Sequence, residues 1–246
     1  MAKDKLSLAA WIEESEIKGI PLRETLIANN AAAMGIDSQA LLGKMADMLK
    51  VMRASIDYGL TGVRSRSKLT GGSAKKLFEA KQGEKYANIL GSTVSDAVMF
   101  ALAVAEANAA MGRIVAAPTA GASGVLPGML FSLQKNYKLS EETLAAGLVV
   151  AGSIGLVIAN RSSLSGAMGG CQAETGSAAA MAAGAAVDML GGTPEQVGHA
   201  VAMTIKNMLG LVCDPVAGLV EVPCIKRNAG AVAQALTAAE MALAGI

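Results

Sequence analysis

The sequence predicts an all-α fold, a single multi-helix domain over residues 1–246, on three observations. Helix-start and helix-stop residues recur from end to end, alternating runs of Val, Ile, Thr and aromatic residues are sparse, and no fixed repeat or linker divides the chain. Pro21 suits the first turn of a helix running to about Met34, and Asp37 caps an amphipathic stretch reaching about Tyr58. Ser92 or Ser95 opens the next helix, to about Met111, and Ser140 caps another. Thr193-Pro194-Glu195-Gln196 is a capping box with proline at the first helical position, and its helix runs to about Leu209 and stops at Gly210. The alanine-rich stretch from Ile225 onward reads as the last helix. Residues 61–73, 115–128, 161–171 and 210–224 hold too much Gly, Ser, Thr and Pro for helix interiors, so function is sought there.

Composition excludes several classes. A chain of 246 residues buries a core without disulfides, so stability does not explain its three cysteines. Twenty-one basic against 20 acidic residues and 3% aromatics leave neither the charge excess nor the stacking platforms of a nucleic-acid binder. Lys3, Asp4, Lys5, Glu13, Glu14, Glu16 and Lys18 break up the first 20 residues, so no signal peptide is expected and the cytoplasm is the expected compartment. Thr143 to Asn160 runs 18 residues without a charge, at the lower limit for a membrane span. Its small-residue stripe (Gly147, Ala151, Gly155, Ala159) and the lack of a flanking basic cluster favour a buried helix of a soluble protein, with no membrane partner.

The cysteines stand in unusual settings. Cys171 follows Gly169-Gly170 and opens an apolar stretch, Cys224 follows Pro223 at the start of the last helix, and Cys213 precedes a turn expected at Asp214-Pro215. Free backbone N–H groups at such places favour thiolate, the form that binds metal. The separations, 213−171=42 and 224−213=11, match no zinc-ribbon or ferredoxin spacing. Taken alone, the three thiols remain open between inert, reactive and metal-bound.

Longer motifs narrow the choice. SLSGAMGGCQAETGSAAAMAA (163–183), NMLGLVCDPVAGLVEVPCIKRNA (207–229), IVAAPTAGASGVLPG (114–128) and LTGGSAKKL (69–77) resemble the α chain of the iron-sulfur-dependent L-serine dehydratases, and the likeness covers nearly the whole chain. The resemblance implies an all-helical catalytic domain in which Cys171, Cys213 and Cys224 ligate a 4Fe-4S cluster. Three thiolates leave one iron open to act as a Lewis acid on the 3-hydroxyl of L-serine, giving pyruvate and ammonia. It further implies a β subunit, allows a homo-oligomer, and, because the family's α chains continue past the MALAG stretch, implies C-terminal truncation at Ile246.

Other candidates follow from the loops. Thr119 and Ser123 in APTAGASGVLPG read either as a tight connection or as a carboxylate nest, and the resemblance implies the nest; Thr70 and Ser73 form a second such loop beside Arg64, Arg66 and Lys68, which by its residues alone reads rather as a solvated basic loop. Ser165, six residues before Cys171, is placed to reach substrate, and Lys206 and Arg227 to balance cluster charge. His199, the only histidine, falls within the capped helix from Pro194 and reads as a packing or surface residue. With histidine so scarce, the catalytic base is unassigned and is sought on a β subunit. The competing readings are a cluster-dependent L-cysteine desulfidase, a non-catalytic redox or regulatory cluster protein, and a pyridoxal phosphate enzyme, whose α/β pattern is missing.

Overall fold

The chain is described by a computed structural model over residues 6–246; Lys3, Asp4 and Lys5, used above against a signal peptide, lie outside the described residues. Eleven helices and no strand ladder make up the described residues. They are α1 (Leu8–Lys18), α2 (Leu22–Met34), α3 (Ser38–Leu60), α4 (Ser73–Gln82), α5 (Gly91–Ala109), α6 (Val125–Tyr137), α7 (Glu141–Arg161), α8 (Gly166–Gly169), α9 (Ser177–Met189), α10 (Pro194–Met208) and α11 (Glu221–Leu243).

Two helices organise the core. Every residue of α9 is buried, and it packs against α7, α10, α11 and α6. Such enclosure needs a helix apolar on all sides, and its alanine-rich sequence lets four neighbours come close. The second centre is α5, packed by α6, α11, α3 and α4, so that α6 and α11 bridge the two. The small-residue stripe of α7 faces α9: a Cβ at Gly155 would lie 2.9 Å from the Met181 sulfur, and one at Gly147 would lie 2.8 Å from Met189 Cγ. Long and apolar enough by composition to cross a membrane, α7 nonetheless has most of its apolar window buried among the other helices.

Local signals set most helix ends. Asp37 accepts from the Ala40 N–H, Ser140 from the Thr143 N–H, and Thr193 and Gln196 form the expected capping box. Elsewhere the ends move. Pro21 precedes α2 as its cap, α5 begins at Gly91 and ends at Ala109, and α10 ends at Met208. Neither Ser92 nor Ser95 opens α5; Ser95 is buried and accepts from the Tyr86 hydroxyl. The Gly-rich stretch 115–128 yields to α6 at Val125, with Pro127 in the first turn, where proline sacrifices no helical hydrogen bond.

Close crossings need glycine. A methyl at Gly59 of α3 would come within 2.7 Å of Ala103 Cα in α5 and nearer still to its carbonyl. Gly43, in the same helix, has nothing within 4 Å. Gly59→Ala is therefore expected to cost about 3 kcal/mol by forcing α3 and α5 apart, while Gly43→Ala should gain about 0.5–1 kcal/mol from helix propensity. Urea denaturation of both variants checks the pair; equal midpoints would contradict the crossing.

Candidate active site

All three cysteines line one cavity of about 550 Å³, together with Glu174, Ser165 and Glu221. Cys171 is buried, Cys224 half-buried and Cys213 exposed, so the cavity is closed at one thiol and open at another. Cys171 begins a π-helical turn, Gln172–Gly176, that runs into α9. Such wide turns displace side chains from the regular helical register and recur at functional sites.

The cysteine-bearing segments are tied to one another through the backbone. The Gln172 N–H donates to the Leu211 carbonyl at 2.8 Å, and the Gly210 N–H donates to Gln172 Oε1 at 2.9 Å. Gly170 has φ +72°, and a Cβ there would lie 3.1 Å from the Leu211 oxygen and 3.2 Å from the Cys213 nitrogen. Only glycine meets both demands. From α11, Arg227 donates to the Val212 carbonyl and sits 3.8 Å from the Asp214 carboxylate. Arg227 thus lies beside the Cys213 segment, as expected, whereas Lys206 is simply exposed on α10.

Two readings of Cys213 and Cys224 need correction. The turn between them lies at Val216–Leu219, one step beyond Asp214-Pro215, with paired N–H···O bonds of 2.9 and 3.0 Å and positive φ at Ala217 and Gly218. Cys224 does not open the last helix: α11 starts at Glu221, and the Cys224 N–H donates to the Val220 carbonyl at 3.3 Å. Nor is its thiol poised as thiolate. Burial first, then Cys171, Glu174 and Cys213, against an opposing pull from Arg227, push its pKa up to about 11. A thiol in that position ionises only against a cation that replaces the lost hydration.

The hydroxyl candidates divide. Ser165 lines the cavity; Thr119, Ser123, Thr70 and Ser73 do not. Thr119 and Ser123 flank the three-residue turn Ala120–Ala122, and their hydroxyl oxygens are buried without a partner among the described residues. In the 70–73 loop the Ser73 and Ala74 N–H groups donate to Glu106 at 2.7 and 3.2 Å, so the anion held there is the chain's own carboxylate. Thr70 donates to Glu221 at 3.3 Å, and Lys226 donates to Ser73 at 2.8 Å, which fastens the loop to α11. His199 is exposed on α10, 4.0 Å from Glu195, and does not line the cavity.

Several site residues escaped the sequence reading. Asn228, fully buried on α11, accepts from the Gly124 N–H at 2.9 Å and donates at 2.7 Å to the carbonyls of Gly121 and Cys224. It carries Gly121 to the cavity wall. Its only sequence signal is its place one turn after Cys224. Glu174, three residues after Cys171, points into the cavity beside Gly166 and Gly121. A carboxylate in an otherwise apolar, alanine-rich run was the available clue.

The donor set is soft: three thiols, the ligand type that iron-sulfur groups take. Ligands of one metal at sulfur distances of about 2.3 Å lie within roughly 5 Å of each other, whereas a cubane spreads its thiolates to roughly 7 Å. Among the described residues no three His, Cys, Asp or Glu side chains gather tightly enough to hold one ion, yet the three thiols share one cavity wall. The chemistry of three thiols lining one cavity is compatible with an iron-sulfur group.

Exposed apolar side chains neighbour the cysteines along the chain: Met168 before Cys171, Val212 beside Cys213, and Val216, Leu219 and Val220 before Cys224. A second cavity of about 630 Å³ lies behind the π turn; it is lined by Ile154, Val157, Met208 and other apolar groups and by no thiol.

Comparison with known proteins is by sequence. The probable L-serine dehydratase alpha chain of Bacillus subtilis is 49% identical over 235 residues, covering 96% of this chain and 78% of that protein. The L-serine dehydratase alpha chain of Peptoniphilus asaccharolyticus is 42% identical over 230 residues, 93% of this chain and 78% of its own length. The L-serine dehydratase of Streptomyces coelicolor is 38% identical over 235 residues, which make up only 50% of that longer protein. Residues 17–246, which contain every thiol and carboxylate of the cavity, match the family model of the serine dehydratase alpha chain, and the chain belongs to that family.

Proposed function

We propose that this chain dehydrates and deaminates L-serine to pyruvate and ammonia as the catalytic α chain of an iron-sulfur-dependent lyase. The observation that carries the reading is that Cys171, Cys213 and Cys224, far apart in sequence, line a single cavity. Those thiolates would hold a 4Fe-4S cluster, which when bound supplies an iron without a protein ligand as a Lewis acid for the 3-hydroxyl.

The chain's own groups supply the rest. Ser165 presents a hydroxyl at the cavity for the substrate's polar end, and buried Cys171 closes the floor against water. Among the described residues no lysine lines the cavity to serve as the covalent anchor a pyridoxal enzyme requires. The exposed Val212, Val216, Leu219 and Val220 are the surface we assign to a β subunit, which would close the open side at Cys213. We place the protein in the cytoplasm, where thiols stay reduced.

Anaerobic reconstitution followed by a serine-to-pyruvate assay, with and without a β chain, tests the reading. Pyruvate from serine is expected. Sulfide from cysteine with no pyruvate from serine would move the chain to the desulfidase reading, and a redox-active cluster without turnover of either would make it a regulatory protein.

A further inference from the structure

We propose that Glu174 is the base that removes the α-proton of serine, so that this step belongs to the α chain. The inference rests on the dehydratase reading above. Elimination needs a proton acceptor at Cα, and the cavity offers few. Its thiols are committed as ligands, Ser165 is too weak a base, and His199 lies exposed on α10 outside the cavity. Among the described residues two carboxylates line it, Glu221 and Glu174.

Their surroundings separate them. Glu221 already accepts from Ser67 at 2.7 Å and from Thr70 at 3.3 Å, and those hydroxyls hold its carboxyl below the usual range. That makes it a braced structural group. Among the described residues no hydrogen bond or ion pair reaches the Glu174 carboxylate, and it is half-buried.

Two glycines make room for it. A Cβ on Gly121 would lie 3.6 Å from both of its oxygens, and one on Gly166 would collide with Oε2. The carboxylate therefore stands between the loop that Asn228 anchors and the segment that carries Ser165. The π turn begun by Cys171 sets it on the cavity side, while Gln172, Ala173 and Gly176 face the apolar cavity behind. A free carboxylate fixed among the thiols is placed for chemistry at a substrate carbon held beside them.

The step balances without an oxidant or reductant. Glu174 takes the α-proton, the Cα–H pair forms the Cα=Cβ bond, and the Cβ–O pair leaves with the hydroxyl. One proton returned to that hydroxyl releases water and regenerates the carboxylate, leaving aminoacrylate to tautomerise and hydrolyse.

The test compares wild type, Glu174→Gln and Glu174→Asp as cluster-loaded holoenzyme, reading iron content, visible absorption, kcat, KM and the isotope effect with α-deuterated serine. Glu174→Gln should keep its iron and KM, lose about 10³-fold in kcat, and show a larger isotope effect as proton removal becomes limiting. Glu174→Asp should recover part of kcat. Retained kcat in the Gln variant would overturn the proposal. So would a loss confined to KM, which marks a partner for the substrate ammonium, or loss of iron from both variants, which marks a cluster-holding residue. Loaded wild type that makes no pyruvate would overturn the dehydratase reading itself.

Discussion

Serine at any one of Cys171, Cys213 or Cys224 is expected to abolish pyruvate formation, while His199→Ala leaves most of it intact. The chain has three cysteines in all, so no spare thiol can replace a lost ligand. A serine hydroxyl is a hard, weakly acidic donor that iron-sulfur clusters do not accept in place of thiolate. Losing the open iron removes leaving-group activation, and several kcal/mol of transition-state stabilisation go with it. Cys224 sharpens the expectation, because its thiol sits near pKa 11 beside Cys171, Glu174 and Cys213. Only a bound cation makes thiolate favourable there. His199 lies on the exposed face of α10, with a carboxylate 4.0 Å away, and is not among the residues lining the cavity. Iron content, visible absorption and pyruvate formation in anaerobically reconstituted variants are the measurements. Normal turnover in a Cys→Ser variant would remove that ligand from the assignment, and an iron-replete but inactive His199→Ala would put a catalytic role back on α10.

What the sequence could reveal depended on how far apart the causes lie. The caps at Asp37, Ser140 and Thr193 were readable because donor and acceptor are three residues apart. The short helix α4 was not. Its sequence, SAKKLFEAKQ, is polar on most sides with only Ala74 buried, and its N-terminus is capped by Glu106, which arrives from α5. The start of α11 was misplaced because Pro223 looks like a first helical residue, although proline is tolerated anywhere in the first turn.

The same division runs through the site. The cysteines announced themselves through their glycine and proline neighbours and through the family motifs, and all three reach one cavity. The Thr70–Ser73 loop has the composition of an anion nest, and its Ser73 and Ala74 N–H groups are taken by the chain's own Glu106, a partner 32 and 33 residues away that local sequence does not reveal. Glu174 and Asn228 gave almost no local signal. Their importance comes from Gly166, Gly121 and Gly124, which only tertiary packing brings to them.

Asn228 shows how strongly one such residue should matter. Asn228→Ala is expected to cost about 3 kcal/mol, because it leaves the Gly124 N–H and the Gly121 carbonyl in the interior without partners. Asn228→Asp separates the two halves of the amide. Its carboxylate still accepts from Gly124, yet at neutral pH it faces the Gly121 and Cys224 carbonyls with no proton to donate. Burial and those carbonyl dipoles should raise its pKa in the folded chain above the unfolded value. The folded state then binds the proton more tightly, so the Asp variant should regain stability as pH falls and lose it as pH rises through the folded pKa. The Ala variant has nothing to titrate there and should keep its deficit relative to wild type at every pH. Urea midpoints for wild type, Ala and Asp chains between pH 5 and pH 8 decide the matter. A deficit in the Ala variant below about 1 kcal/mol, the worth of a single ordinary hydrogen bond, would mean that the loop carrying Gly121 is held by something other than Asn228. Matching pH responses of the two variants would mean that the amide protons do not make the contacts to Gly121 and Cys224.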